Sequence, residues 1–163
     1  MKILLDGMGG DNAPSEIVKG AVLAAKEITH TIVIVGDQAK IEAELKKYKY
    51  DKNQIVIEHA SDVIETCDAP VKAVRTKKDS SLVKGITMLK EGNGDLFVSA
   101  GNSGALMAGG LFILGRIQGI DRPAMASIYP VLGGQASLLV DAGANSECKP
   151  DNLLEFATMG SIY

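Results

Sequence analysis

Three stretches of the sequence gather small, acidic and amide-bearing residues in patterns that suit anion chemistry. Asp6, Gly7, Gly9, Gly10, Asp11 and Asn12 stand in DGMGGDNAP, Ser99, Gly101, Asn102, Ser103 and Gly104 in SAGNSGALMAGG, and Asp141, Gly143 and Asn145 in DAGANSECKP. A glycine loop ahead of a helix lets backbone amides approach a phosphate, and the helix adds unpaired N–H groups and its positive dipole end. Asn102 and Ser103 add side-chain donors to such a loop. The same residues also make a tight strand-to-helix turn, and both readings stand on the residues alone. The loop is not a Walker A sequence, because no Gly-Lys-Ser/Thr follows, nor the full GxGxxG dinucleotide pattern. Asp6 and Asp11 suit hydrogen-bond acceptance, a general base or a cation, although two neighbouring carboxylates do not make a metal site. Loop ordering and helix capping are the alternatives for Asp11 and Asn12. Asp141, Gly143 and Asn145 either line a crevice or shape a turn.

Among the cations, Arg122 precedes Pro123, which restricts its backbone, and a guanidinium can hold two phosphate oxygens at once. A solvated surface arginine is the alternative. Arg75, Lys77 and Lys78 suit phosphate or an acidic protein partner, though such runs are commonly solvated faces. His30 and His59 have no Ser or Cys neighbour in sequence to pair with as catalytic bases. Cys67 and Cys148 lack CxxC or CxxH spacing, so they read as packing or surface thiols in a reduced, intracellular protein. Leu106, Met107, Leu111, Phe112 and Ile113 read as core, although an acyl chain would accept the same surface.

These residues need elements to position them, and the chain supplies an alternation. Apolar runs at 2–6, 31–35 and 54–58 predict strands, and helical spacing of Ile17, Val18, Ala21, Val22, Ala25 and Ile28 predicts a helix begun by Asp11, Asn12 and Pro14. A second helix is expected over 38–47, and residues 59–79 read as a long irregular connection. Ser80 or Ser81 caps a helix carrying Leu82, Val83, Ile86 and Leu89, followed by a strand at 96–98 and the SAGNS loop with its helix. Strands near 125–128 and 137–140 and a helix from Pro150 complete the chain. Strands alternating with helices predict a parallel sheet with crossovers. The expectation is one α/β domain over 1–163, a three-layer Rossmann-like fold with a mostly parallel sheet. Asp6, Ser99 and Asp141 would then end three strands along one sheet edge, where open α/β folds place their ligand crevice.

Composition narrows the class. The chain has 163 residues, 46% hydrophobic and 23% charged, with 18 glycines and no Trp, so Val, Ile, Leu, Ala and Met must fill the core. A net charge of -3 removes the broad attraction a nucleic-acid binder needs. The opening MKILLD is too short for a signal-peptide core, and Gly104 to Gly115 falls short of the roughly 20 residues that span a bilayer. A cytoplasmic location is expected, with peripheral membrane contact left open. The final helix carries no stop signal, which predicts a chain cut inside a larger fold.

Taken together, DGMGGDNAP at 6–14, KKDSS at 77–81, SAGNSGALMAGG at 99–110, RPA at 122–124 and DAGANSECKP at 141–150 resemble the bacterial phosphate acyltransferase family of phospholipid synthesis. The five occur in the family's order across nearly the whole chain, with Ser103 where the family usually has Thr. The resemblance implies transfer of a fatty acyl group from acyl carrier protein to inorganic phosphate, giving acyl phosphate, with no redox cofactor and no metal. It implies a fold similar to the isocitrate and isopropylmalate dehydrogenase type. It also implies a homodimer at full length and peripheral membrane contact through a second half, this chain matching an N-terminal half. Asn102, Arg122 and Asp6 are the expected catalytic residues. Gly9, Gly10, Asp11, Asn12, Ser99, Gly101, Ser103, Gly104, Asp141 and Asn145 are the expected phosphate and substrate contacts. Two alternatives remain: a related α/β enzyme, either a phosphotransacetylase using coenzyme A thioesters or a nucleotide-dependent dehydrogenase, and a non-catalytic ligand-binding fragment.

Overall fold

A computed structural model describes residues 1–163, which divide into two compact units, Met1–Leu114 and Gly115–Tyr163. The first unit runs β1 (Lys2–Asp6), α1 (Ser15–Ala24), β2 (Thr31–Gly36), α2 (Gln38–Leu45), β3 (Ile55–His59), α3 (Pro70–Thr76), α4 (Ser81–Lys90), β4 (Leu96–Val98) and α5 (Ser103–Gly109), then a π-helical turn, Gly110–Leu114. Its four strands form one parallel sheet in the order β3-β2-β1-β4. The expected α/β architecture with a parallel sheet is therefore present.

β2 shows why the sheet is covered on both faces. Alternate strand side chains point to opposite sides. Ile32 and Ile34 pack with Val18, Ala21 and Val22 of α1 and Ile41 and Leu45 of α2. Val33 and Val35 pack with Leu4 and Ala60, and Met88 and Leu89 of α4 close over them. The unbroken run TIVIV is the signature of a strand with no solvent face. A further apolar cluster joins Ala73 and Val74 of α3, Leu82, Val83 and Ile86 of α4, and Ala105 and Ala108 of α5. Helices thus sit on both sides of the sheet, in three layers.

Two local expectations are corrected and a third holds. Residues 59–79 are not irregular throughout, because Pro70 occupies the first turn of α3, where its missing N–H costs nothing. α1 receives no side-chain cap from Asp11 or Asn12: its N-cap is Pro14, and the Asn12 carbonyl instead accepts from the Ser15 hydroxyl at 2.9 Å. Ser80, by contrast, does cap α4, its Oγ accepting from the Val83 amide.

The second unit holds β5 (Ala126–Pro130), β6 (Ala136–Val140) and α6 (Pro150–Ile162). β5 and β6 pair antiparallel, Ala126 opposite Val140 and Pro130 opposite Ala136, in a separate two-stranded sheet. This overturns the expectation that Asp6, Ser99 and Asp141 end strands of one parallel sheet. Gly133 and Gly134, both at positive φ, turn the chain directly back on itself, so no crossover returns the strand to a parallel neighbour. In α6, Phe156 is buried. No helix in either unit is long and apolar enough to cross a membrane.

Candidate functional site

Strand order fixes where the first unit can build a site. From β1 the chain crosses to β2 on one side, whereas β4 lies on the other, so the order reverses between β1 and β4. At such a switch point the connections leaving adjacent strand ends run to opposite faces and open a crevice. α1, after β1, packs on one face of the sheet, while α5, after β4, packs with α3 and α4 on the other. Asp6 ends β1 and Ser99 follows β4, so both stand at this crevice.

Asp6 is only 2% exposed, and protein groups hold it on both oxygens. Oδ1 accepts from the Ser81 hydroxyl at 2.6 Å and from the Met8 amide at 3.2 Å. Oδ2 accepts from the Ser99 hydroxyl at 2.7 Å. The Gly101 amide in turn donates to Ser99 Oγ at 3.1 Å. An ionised carboxylate only accepts, so these contacts fix the direction of both hydroxyl protons. The result ties the DGMGG loop, the start of α4 and the SAGNS loop to a single side chain. Gly9 sits inside this knot: a Cβ there would run into the Asp6 carboxylate and stand 3.0 Å from the Gly101 amide nitrogen. Sequence reading found Asp6, Gly9, Ser99 and Gly101 but not Ser81, whose partner lies 75 positions away.

Asn102 is nine-tenths buried and engaged at both ends of its amide. Oδ1 accepts from the Ala105 amide at 2.9 Å, capping α5, and Nδ2 faces the carbonyls of Glu65, Thr66 and Asp68 at 3.2 Å each. Gly104 lets α3 approach, since a Cβ there would lie 2.6 Å from Pro70 Cγ. Ser103 and Gly104 are exposed, and their amides, in the first helical turn, have no intrahelical acceptor. Asp11 and Asn12 are likewise exposed, and Gly10 is half-buried at a φ of 107°.

Within the basic run, Arg75 and Lys78 are exposed and Lys77 is half-buried. Lys77 donates to Asp68 Oδ2 at 2.7 Å and to the Val63 carbonyl at 2.8 Å, and Lys78 reaches the Val74 carbonyl at 3.3 Å. Arg75 lies over the Phe112 ring, 5.3 Å from its centre, a cation–π contact. The hydrogen bond from Lys77 holds the Asp68 carboxyl below its ordinary value, and the same bond raises the Lys77 ammonium.

In the second unit, Arg122 donates to the Glu147 carbonyl at 2.9 Å. Asn145 Nδ2 bridges the Pro123 carbonyl at 3.1 Å and Asp141 Oδ1 at 3.0 Å, so it fastens the RPA and DAGAN motifs together. Asp141 has a φ of 63°, a left-handed conformation uncommon outside glycine. Desolvation by its surroundings and the Asp141 charge push the thiol of the exposed Cys148 above its ordinary value, which keeps it a thiol at neutral pH.

The pattern of the family described as "Fatty acid synthesis protein" matches residues 1–163. The chain belongs to this family. A phosphate acyltransferase of Clostridioides difficile (strain 630) is 52% identical over 163 residues, and one of Alkaliphilus oremlandii (strain OhILAs) is 57% identical over 163 residues. Each alignment covers all of this chain and 48% of the relative. The chain therefore spans about half the length of these curated relatives, whose names agree with the resemblance carried by the five motifs. In the fold, the chain is similar to a phosphotransacetylase from Streptococcus pyogenes, with a TM-score of 0.68 at 18% identity, covering 96% of this chain and 51% of that one. That likeness supports the Rossmann-like architecture.

Proposed function

We propose that this member of the fatty acid synthesis protein family serves, in a protein of its relatives' length, as part of a phosphate acyltransferase. Such an enzyme would move a fatty acyl group from acyl carrier protein to inorganic phosphate. The observation that carries the reading is the knot at the switch point, where three of the motif segments meet on the buried Asp6 carboxylate. Held in this way, the Ser99–Gly104 loop presents the Ser103 hydroxyl and the neighbouring amides to an anion without having to be ordered first, and pre-paid ordering is what positions a nucleophile cheaply.

In the proposed reaction a phosphate oxygen attacks the thioester carbonyl carbon. The C–O bond forms, the tetrahedral oxyanion collapses with cleavage of the C–S bond, and the carrier thiolate leaves and takes a proton from water. Phosphate at neutral pH is already a nucleophilic oxyanion, so positioning and charge stabilisation carry the step without an acyl-enzyme. In this scheme Asp6 and Asn102 hold the loop, the Gly9–Asn12 segment borders it, and Ser103 contacts phosphate. Arg122 is the second unit's proposed contribution to catalysis, and within that unit Asn145 and Asp141 hold its RPA segment. Lys72 and Arg75, exposed at α3, are the proposed contact for an acidic carrier protein, weakening with salt. The reading extends to a homodimer and to peripheral membrane contact through the remaining half, testable by sedimentation and vesicle flotation.

The test is acyl phosphate formation from a long-chain acyl carrier protein and inorganic phosphate, run on this chain and on a version extended to family length. Activity of the extended version, lost or strongly reduced by Asn102→Ala and Arg122→Ala, supports the reading. Reaction with coenzyme A thioesters alone would replace it with a phosphotransacetylase-like activity, and unchanged phosphate KM and kcat in both variants would remove those two residues from it.

A further inference from the structure

The KKDSS motif at 77–81 lies outside the two glycine loops, yet its first lysine reaches one of them through a continuous path. Lys77 Nζ binds the Val63 carbonyl and Asp68 Oδ2, and the same Asp68 oxygen accepts from the Glu65 amide at 2.8 Å. One ammonium thus pins both ends of the 63–68 segment. That segment turns the carbonyls of Glu65, Thr66 and Asp68 onto Asn102 Nδ2, while Asn102 Oδ1 caps α5. A primary amide has two N–H donors, so three carbonyls at 3.2 Å share them, and the amide keeps this orientation while the 63–68 segment holds those carbonyls toward Nδ2. If the segment drifts, the amide can rotate and its oxygen leaves the Ala105 amide. Lys77 and Asp68 are both part-exposed, at 28% of their side-chain surface, so a pair with no role in holding the segment would contribute little.

We propose that Lys77 is a positioning residue for the anion loop: by clasping Val63 and Asp68 it sets the carbonyl frame that orients Asn102, and through Asn102 the Ser103–Gly104 stretch. This inference rests on the reading of the Ser99–Gly104 loop as a phosphate holder. It assigns to the KKDSS motif a function other than receiving an acidic partner, since Lys77 faces inward to protein oxygens.

The experiment is nuclear magnetic resonance on the 163-residue chain with two separate readouts. The first, without ligand, is solvent exchange of the Asn102 side-chain amide protons. The second is a titration with inorganic phosphate followed at the Ser103 and Gly104 amides. Lys77→Met is expected to speed Asn102 exchange and weaken phosphate binding by about tenfold each, while Lys77→Arg stays within about threefold of the parent. Lys47→Met, which removes a surface pair with Glu44, is the control and leaves both readouts unchanged. Asp68→Asn tests the other half of the clasp should Lys77→Met fold poorly, with the same direction expected. Unchanged Asn102 exchange in a folded variant overturns the proposal, and so does faster exchange with unaltered phosphate affinity, which would make Lys77 structural only. Absence of any phosphate response in the parent chain overturns the anion-loop reading instead, while the exchange readout still decides whether the clasp exists.

Discussion

The Ser99 hydroxyl donates to Asp6 Oδ2 at 2.7 Å although the two residues stand 93 positions apart in the chain. With Ser81 on the other oxygen, this contact makes one carboxylate the meeting point of a strand end, a helix start and a glycine loop. Charge-assisted hydrogen bonds are stronger than neutral ones, and their loss leaves the buried Ser81 hydroxyl and the half-buried Ser99 hydroxyl without this acceptor.

Asp6→Ala is therefore expected to destabilise the first unit by about 2–4 kcal/mol, while Asp6→Asn, which keeps shape and one acceptor, costs about half as much. Urea unfolding of the three proteins checks this. A loss below about 0.5 kcal/mol in the alanine variant would mean that the knot carries no weight.

Asp68 and Lys77 give a pH signature. The folded Asp68 carboxyl lies below its ordinary 3.8, so its contribution is present above that value and is lost as pH falls through the lower folded one. Folded Lys77 lies above its ordinary 10.5, so its contribution is full below that value and disappears as pH rises through the folded one. The stability difference between the parent and Lys77→Met should be flat between those limits and shrink outside them, as chemical denaturation at several pH values would reveal. A difference that already varied around pH 6 would point to another titrating group.

Gly104→Ala places a methyl 2.6 Å from Pro70 Cγ and should cost about 1–3 kcal/mol through the strain of separating α3 from α5. Gly110→Ala meets nothing within 4 Å and should be neutral or stabilising by about 0.4–1 kcal/mol. Thermal melts of both variants give the contrast, and equal effects would deny the close approach of the two helices.

Asp141→Gly and Asp141→Ala both remove the carboxylate from Asn145, but only glycine suits a φ of 63°. The glycine variant should be more stable than the alanine one by about 1 kcal/mol. The reverse order in denaturant would show that this backbone relaxes when the side chain is cut.

Sequence alone made much of the first unit legible because its strands and helices carry clean periodicity: TIVIV is apolar on both faces, and Ser80 sits where a helix must start. α3 was hidden because Pro70 looks like an interruption, whereas at a first helical position it is compatible with the helix. Both strands of the β5–β6 hairpin and the Gly133–Gly134 turn between them were legible, but their antiparallel pairing was hidden by the similarity of DAGAN to the other two loops. At the candidate site the glycines and Asp6 were legible as types. The partners of Asp6 and Asn102 were not, because a contact spanning 75 or 34 positions leaves no trace in local pattern.

The strand order also has a bearing on synthesis. β1, made first, lies inside the sheet between β2 and β4 rather than at its margin, and β2 and β3 are complete by residue 59. Ser99 emerges 40 residues after that, about 2–8 s later at about 5–20 residues per second. Until Ser99 is made, Asp6 Oδ2 lacks the hydroxyl that donates to it in the finished fold. The knot on Asp6 thus closes only after three of the sheet's four strands have been made, and a chain released before Ser99 carries the strand but not the site.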